Sequence, residues 1–259
     1  MAERIKTDAA AWRQKVRPAN SNTRISWGGQ APKPEAPKVQ TGSPDNLGLN
    51  SERLRLRMVE RVRQQGVSDD KVLAALAAVP RHQFVDQAFA SRAYENDALP
   101  IGHGQTISQP WVVARMLAAL CEGSTPVRVL EVGTGCGYQA AVMARLFRHV
   151  FTVERVRPLY DMAKARLQPL KLSNVQCRFG DGMLGWPAKA PFDGIIVAAA
   201  GLAIPQTLLD QLTVGGKLIA PEGDKVQRLV VVTRLSNDRW ERVQLEVVRF
   251  VPLKPGTQV

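Results

Sequence analysis

Three short segments carry residues whose types and spacing suit the binding of an adenosine group. The first is Val129-Leu130-Glu131-Val132-Gly133-Thr134-Gly135-Cys136-Gly137-Tyr138, a β-branched run that ends in three alternating glycines and then takes up helical spacing. Glycine at such a turn permits positive φ and lets the backbone approach a ligand closely. In an open α/β sheet this turn lies at the carboxyl end of the first strand, where ligands bind. The second segment is Phe151-Thr152-Val153-Glu154, a strand pattern whose acid stands 21 positions after Gly133. A carboxylate there can accept hydrogen bonds from both ribose hydroxyls. The third is Gly180-Asp181-Gly182, after the next strand pattern. Its acid can accept from an adenine amino group, and its glycines leave room for the ring. Each segment alone is ordinary loop chemistry. In this order, they converge on one adenosine site built from Glu131, Gly133, Gly135, Gly137, Glu154, Asp181 and Gly182.

A fourth segment, residues 97–110, brackets a polar turn between glycines and prolines ahead of helical spacing at 111–121. Ser108 within it has two readings, a hydroxyl that meets a ligand or the N-cap of the following helix. On local chemistry alone the cap is the simpler account. Glu131 is likewise open to a reading as a cap for the amides of the glycine loop. Cys136 reads as a small packing residue, Asp193 as the end of a loop before a strand, and Asp161 as a solvated helix charge.

Positioning these segments requires a sheet. From residue 127 onward, short apolar runs at 127–132, 149–153, 175–179, 194–198 and 216–219 alternate with helical spacing at 138–147 and 159–172. The alternation predicts a Rossmann-like α/β fold, a mostly parallel twisted sheet with helices on both faces. Runs at 229–233 and 243–250 follow with no room for a helix between them, so they are expected to pair antiparallel at one side of the sheet near the C-terminus. Upstream, residues 49–65 read as a helix ended by Gly66. A second helix follows with Ser68 as N-cap, Asp69 and Asp70 in its first turn, and Pro80 as its stop. Residues 1–47 interleave Pro18, Pro32, Pro34, Pro37 and Pro44 with glycines and lysines, and read as a disordered basic leader in which Trp12 and Trp27 are the exceptions. Residues 48–259 read as a single domain, with 48–110 its helical, substrate-side part and 111–259 its cofactor-binding sheet and closing strands.

Composition narrows the setting. No run approaches the ~18 to 20 apolar residues of a membrane span, and residues 1–20 lack the apolar core of a secretory signal. The cytoplasm is therefore the expected compartment, with no membrane partner. Cys121, Cys136 and Cys177 contain no C-x-x-C pair, and His82, His103 and His149 are dispersed, so neither a disulfide framework nor a metal is expected. The net charge of +12 could attract nucleic acid. The basic residues are spread along the chain, however. The one dense run, Arg53, Arg55, Arg57, Arg61 and Arg63, shares a helix with an apolar stripe of Leu54, Met58 and Val62, as a solvated face does. No specific nucleic-acid partner is expected, and the chain is expected to be a monomer.

The loop spacing bears on which adenosine ligand is bound. A dinucleotide site has G-x-G-x-x-G, because a helix N-terminus must meet a pyrophosphate. Here the third glycine comes one residue early and the strand carries Glu131. That combination resembles the first motif of S-adenosylmethionine-dependent methyltransferases, whose ligand has no phosphate. The chain then resembles, more narrowly, the bacterial members of the protein-L-isoaspartate O-methyltransferase family. The resemblance rests on Pro100-Ile101-Gly102, Gly104-Gln105-Thr106-Ile107-Ser108-Gln109-Pro110, Ala78-Val79-Pro80-Arg81, Phe84-Val85, the glycine loop, Gly180-Asp181-Gly182, and Val248-Arg249-Phe250-Val251-Pro252-Leu253. It runs unbroken from about residue 50 and does not cover the leader.

The resemblance implies methyl esterification of L-isoaspartyl residues in damaged proteins, with S-adenosyl-L-methionine as donor, S-adenosyl-L-homocysteine as product and no metal. It implies Ser108 at the reacting carboxylate, and Thr106 and Ile107 at the junction of cofactor and substrate. Glu154 and Asp181 would hold ribose and adenine, and Val251, Pro252 and Leu253 would form part of the wall for the substrate peptide. His103 receives no catalytic role. A carboxylate with a pKa near ~4 is already ionised at neutral pH and needs no general base, which fits motifs with no obvious His or Lys base. The ester is a better leaving group, so the chain closes to a succinimide whose hydrolysis returns some aspartate. Two rivals remain weaker. A base-amino methyltransferase would carry a polar motif where Val197-Ala198-Ala199-Ala200-Gly201 stands, and a non-catalytic binding module would have lost the glycines, Glu154, Asp181 or Ser108.

Overall fold

A computed structural model describes residues 52–259 of the chain. The leader expected at 1–47, with Trp12 and Trp27, lies outside the described residues. Helix α1 (Glu52–Gln64) buries Met58 and Val62 and leaves Arg53, Arg57, Arg61 and Arg63 exposed, as the stripe requires. Helix α2 (Asp70–Ala78) is capped by Asp69 rather than by Ser68. The Asp69 carboxylate accepts from Lys71 N at 2.9 Å and Val72 N at 3.1 Å, and its charge suits the positive end of the helix. Strands β1 (Leu99–Gly102) and β2 (Gln105–Ile107) then form an antiparallel hairpin where the sequence showed only a polar turn. Its apolar face, Leu99, Ile101 and Ile107, is buried. Pro100, Gly102 and Gly104 between those residues hide the alternation. Helix α3 (Pro110–Cys121) follows with proline at its start, where the missing N–H costs nothing.

The main sheet is built from β3 (Arg128–Val132), β4 (His149–Glu154), β5 (Val175–Phe179), β6 (Phe192–Val197), β7 (Leu212–Glu222), β8 (Gln227–Arg234) and β9 (Trp240–Val248). Helix α4 (Tyr138–Met143) links β3 to β4, α5 (Arg157–Leu167) links β4 to β5, and the short α6 (Gln206–Leu209) precedes β7. The strand order is β5-β4-β3-β6-β7-β8-β9. Strands β5, β4, β3, β6 and β7 run parallel, and β8 and β9 add antiparallel, as expected for the closing runs. Helix α4 stops short of the expected 138–147, the chain continuing to Phe147 in turns. Strand β7 is longer than the 216–219 run that marked it, because its glycines mask the pattern.

Residues along β3 alternate between two buried layers. Val129 joins the core shared with α1 through α5, whereas Leu130 and Val132 join the layer of Phe151, Phe192, Ile195 and Leu218 on the other face. That second face is closed by α6 and by 3-10 turns at Gly182–Leu184 and Pro187–Lys189. Strand β3 has β4 on one side and β6 on the other, so the chain switches direction above its carboxyl end. A crevice opens there.

Asp193 lies inside β6 and is not a loop end. Its Oδ2 accepts from Val127 N at 2.9 Å and Arg128 N at 2.8 Å, holding the entry to β3 in register with its neighbour. Replacing it removes both acceptors, so Asp193→Ala is expected to destabilise the fold by about 1–2 kcal/mol in urea unfolding, with no change in ligand affinity at the far end of the strand.

Candidate active site

The glycine loop leaves β3 with Gly133, Gly135 and Gly137 at φ 94°, 55° and 91°. These angles are strained for any side-chain-bearing residue, so the loop is written in glycine for conformational reasons as well as for access. Two acids stand behind it, in different states. Glu154, at the end of β4, is buried and has both oxygens engaged, Oε2 by Gly135 N at 2.8 Å and Oε1 by Val156 N at 2.9 Å. It therefore fixes the loop to the neighbouring strand. Glu131 does not cap loop amides, contrary to one reading of the sequence. It is fully buried, and its Oε2 accepts from the Thr152 hydroxyl at 2.5 Å. With that proton committed, the Thr134 hydroxyl donates to Thr152, also at 2.5 Å. Burial pushes the Glu131 carboxyl up to about 8, with Thr152 and Gln139 offsetting part of the shift and the nearby Glu154 adding to it.

The third motif sits beside these. Gly182 packs so closely on β3 that a Cβ would lie 2.5 Å from Val132 Cγ1. Asp181 accepts from Met183 N at 2.8 Å and from Gly256 N of the C-terminal tail at 2.7 Å. That tail crosses the carboxyl ends of the strands. Leu253 N donates to Ala200 O at 2.7 Å, Gln258 N to Arg155 O at 2.7 Å, and Arg157 N to Gln258 O at 2.8 Å. The Arg155 guanidinium adds a bond to Gly256 O at 2.9 Å.

Opposite the glycine loop stands the β1–β2 hairpin. Ser108 follows β2 and is half-buried. It is not the cap of α3. The position before the helix is Gln109, without a side-chain cap bond, and Trp111 N is taken by Asn96 Oδ1 at 3.3 Å. Among the described residues the Ser108 hydroxyl makes no hydrogen bond. The hairpin, the loop and the tail enclose one cleft of about 370 Å³. Of the residues singled out in the sequence, Thr106, Ile107, Ser108, Gly133, Gly135, Glu154, Gly182, Val251, Pro252 and Leu253 line it. Glu131 lies beneath the floor, Gly137 behind the loop, and Asp181 beside Gly182 rather than in the lining.

The structure also brings residues that the sequence reading did not supply. Tyr138, Val156 and Leu159 would be readable only as helix or strand continuations, and Lys254 and Gln258 as tail. Tyr138, Val156, Leu159, Lys254 and Gln258 all line the cleft. His103 and Lys254 stand at its exposed rim. Among the described residues no group of three His, Cys, Asp or Glu side chains could hold a metal ion, and no helix is long and apolar enough to cross a membrane.

Residues 53–258 match the family model for protein-L-isoaspartate(D-aspartate) O-methyltransferase. The chain belongs to the protein-L-isoaspartate O-methyltransferase family. A relative of that name from Bordetella avium strain 197N is 63% identical over 242 residues, 93% of this chain and 91% of the relative. One from Burkholderia thailandensis is 56% identical over 212 residues, 81% of this chain and 65% of the relative. A solved protein-L-isoaspartate O-methyltransferase superposes with a TM-score of 0.72 at 29% identity, covering 79% of this chain and 67% of that one. A Plasmodium falciparum methyltransferase structure in complex with S-adenosyl-L-homocysteine gives 0.68 at 27% identity, covering 77% and 98%. The activity of this chain is thus S-adenosylmethionine-dependent methylation of isoaspartyl residues in proteins, which begins their repair.

The raised Glu131 pKa has a sign that can be tested. Folded Glu131 keeps its proton up to about pH 8 while the unfolded residue loses it near the ordinary glutamate value, so stability falls as pH rises through that window and levels off above it. Glu131→Gln keeps the acceptor for Thr152 and cannot ionise. Urea unfolding at pH 6 and pH 9 is expected to show the variant gaining on the parent at the higher pH (~9, above the Glu131 titration).

Proposed function

We propose that methyl transfer takes place in the cleft between the hairpin and the glycine loop. The observation that carries this reading is that Ser108 and Glu154, 46 positions apart in the chain, open into the same cavity. The cavity fits an S-adenosyl group. Gly133 and Gly135 put no side chain into it, its acid is held in place by two backbone amides, and Val132, Val153, Val156 and Leu159 offer apolar cover for an adenine ring. When bound, S-adenosyl-L-methionine supplies an electrophilic methyl group on a sulfonium and leaves as S-adenosyl-L-homocysteine.

The residues of the chain then have separable tasks. Glu154 retains acceptor lone pairs for the ribose hydroxyls, since each carboxylate oxygen can accept twice. Asp181 does the same for the adenine amino group while also holding Gly256. Gly133, Gly135, Gly137 and Gly182 allow the backbone to come close, and Glu131 supports the loop from below through Thr152 and Thr134. Thr106 and Ile107 stand where donor and acceptor meet. Ser108 donates to the isoaspartyl carboxylate and aims one oxygen at the methyl group. No general base is required, because the acceptor is already an anion at neutral pH. His103 and Lys254 therefore need no part in proton transfer. Val251, Pro252 and Leu253 line the side on which the substrate peptide lies, and together with the hairpin they exclude water, which favours a step in which opposite charges neutralise each other.

A monomer is the working unit of this scheme. Three free cysteines, Cys121, Cys136 and Cys177, suit the reducing cytoplasm. No metal, membrane or specific nucleic acid enters the scheme.

The test is transfer of labelled methyl groups to two peptides that differ only in an aspartyl or isoaspartyl linkage. Base-labile label on the isoaspartyl peptide alone is expected, and equal labelling of both would overturn the specificity. Ser108→Ala is expected to lower kcat/KM for the isoaspartyl peptide by about 10- to 100-fold, the worth of a hydrogen bond to a charged group, while S-adenosylmethionine affinity is unchanged in a direct binding titration.

A further inference from the structure

Arg81 is fully buried, and no carboxylate lies within ion-pair distance of it among the described residues. Burial of a guanidinium without an anion is unfavourable unless its donors find other acceptors. Here those acceptors are backbone carbonyls. Nε donates to Ala93 O at 2.8 Å and Nη2 to Asp97 O at 3.3 Å. Its guanidinium carbon lies over the Tyr138 ring, 4.8 Å from the ring centroid. Phe84 packs edge-on to the same ring at 5.6 Å. Neither Nη1 nor the Tyr138 hydroxyl completes a hydrogen bond of normal geometry.

The two groups that Arg81 touches belong to opposite halves of the cleft. Residues 93–97 lead directly into β1, and Asn96 within them holds Trp111 N at the start of α3. The segment therefore controls both ends of the stretch that contains Ser108, the hairpin before it and the helix after it. Tyr138 is the first residue of α4 after the glycine loop, and it lines the cleft. We infer that Arg81 is a positioning residue for methyl transfer, setting the spacing between Ser108 and the glycine loop by gripping residues 93–97 through hydrogen bonds and Tyr138 through its cation–ring contact. The inference rests on the placing of Ser108 at the acceptor carboxylate. A lysine could keep the charge but could not reach both carbonyls and the ring at once, because its charge is a single point where the guanidinium is a fork.

The experiment compares the full chain with Arg81→Met and Arg81→Lys. It reads steady-state kinetics on an isoaspartyl peptide, direct S-adenosylmethionine binding, and amide hydrogen exchange. Arg81→Met is expected to lower peptide kcat/KM by about 10- to 100-fold, as small misplacements of reacting groups do. The loss should fall partly on kcat, with S-adenosylmethionine affinity retained. Exchange should rise over residues 99–107 and stay unchanged over 128–154. Arg81→Lys should recover only part of the loss. Parent-like peptide kinetics in folded Arg81→Met would overturn the inference. So would a fall in S-adenosylmethionine affinity in step with the kinetics and faster exchange over both segments, since that marks a strut of the whole fold. Should Arg81→Met not fold, Arg81→Lys is read by the same criteria. Ser108→Ala, run in parallel, separates the two ideas. Parent-like rates in Ser108→Ala would remove the role given to Ser108, while a peptide-specific defect in Arg81→Met would still establish Arg81 as the residue that places the hairpin.

Discussion

The crevice end of the sheet depends on one carboxylate meeting two backbone amides. A glycine loop has little of its own to hold it, because its three glycines bring no side chains to pack and all stand in the left-handed region. Glu154 supplies the missing restraint by accepting from Gly135 within the loop and from Val156 beyond its own strand. The bonds are charge-assisted and largely removed from water, where such bonds are strongest. They tie the turn after β3 to the turn after β4, so the crevice at the switch point has a fixed floor before any ligand arrives.

Around that floor, the walls come from distant parts of the chain. The hairpin arrives from the region before the sheet, and the tail from beyond its last strand. Neither is covered by regular pairing with the seven-stranded sheet. The tail relies on single bridges, Ala200 with Pro252 and Val156 with Gln258, and on Asp181. The hairpin relies on its three buried apolar residues and on polar ties such as Asn96 to Trp111 N. A firmly tied floor is thus faced by more lightly held walls, a division suited to a substrate that is a segment of another protein.

What could be read from the sequence follows the range of the interactions involved. The glycine loop, Glu154 and Gly180-Asp181-Gly182 were legible because each is a local pattern at the end of a strand, and the strands announce themselves by buried runs on both faces. The hairpin was not, since Pro100 and the glycines break the alternation of Leu99, Ile101 and Ile107. Ser68 and Ser108 were both read as plausible caps, yet an adjacent aspartate takes the first role and Asn96, 15 residues from Trp111 in the chain, takes the second. Glu131 was seen as support for the loop, but its partner is a threonine on the neighbouring strand, which only the β3–β4 register reveals. Arg81 was visible only as part of a family motif after a helix stop. That it is buried without an anion depends on residues 12 to 57 positions away.

The last strand of the sheet ends at Val248, while the cleft wall begins at Val251. Folding and function therefore finish at different places in the chain. A product cut between those points by a protease or a premature stop would keep all seven strands and the fully buried residues of both layers, but lose Leu253, which packs against one of them. Such a product would retain the core of the fold and lack one wall of its cleft.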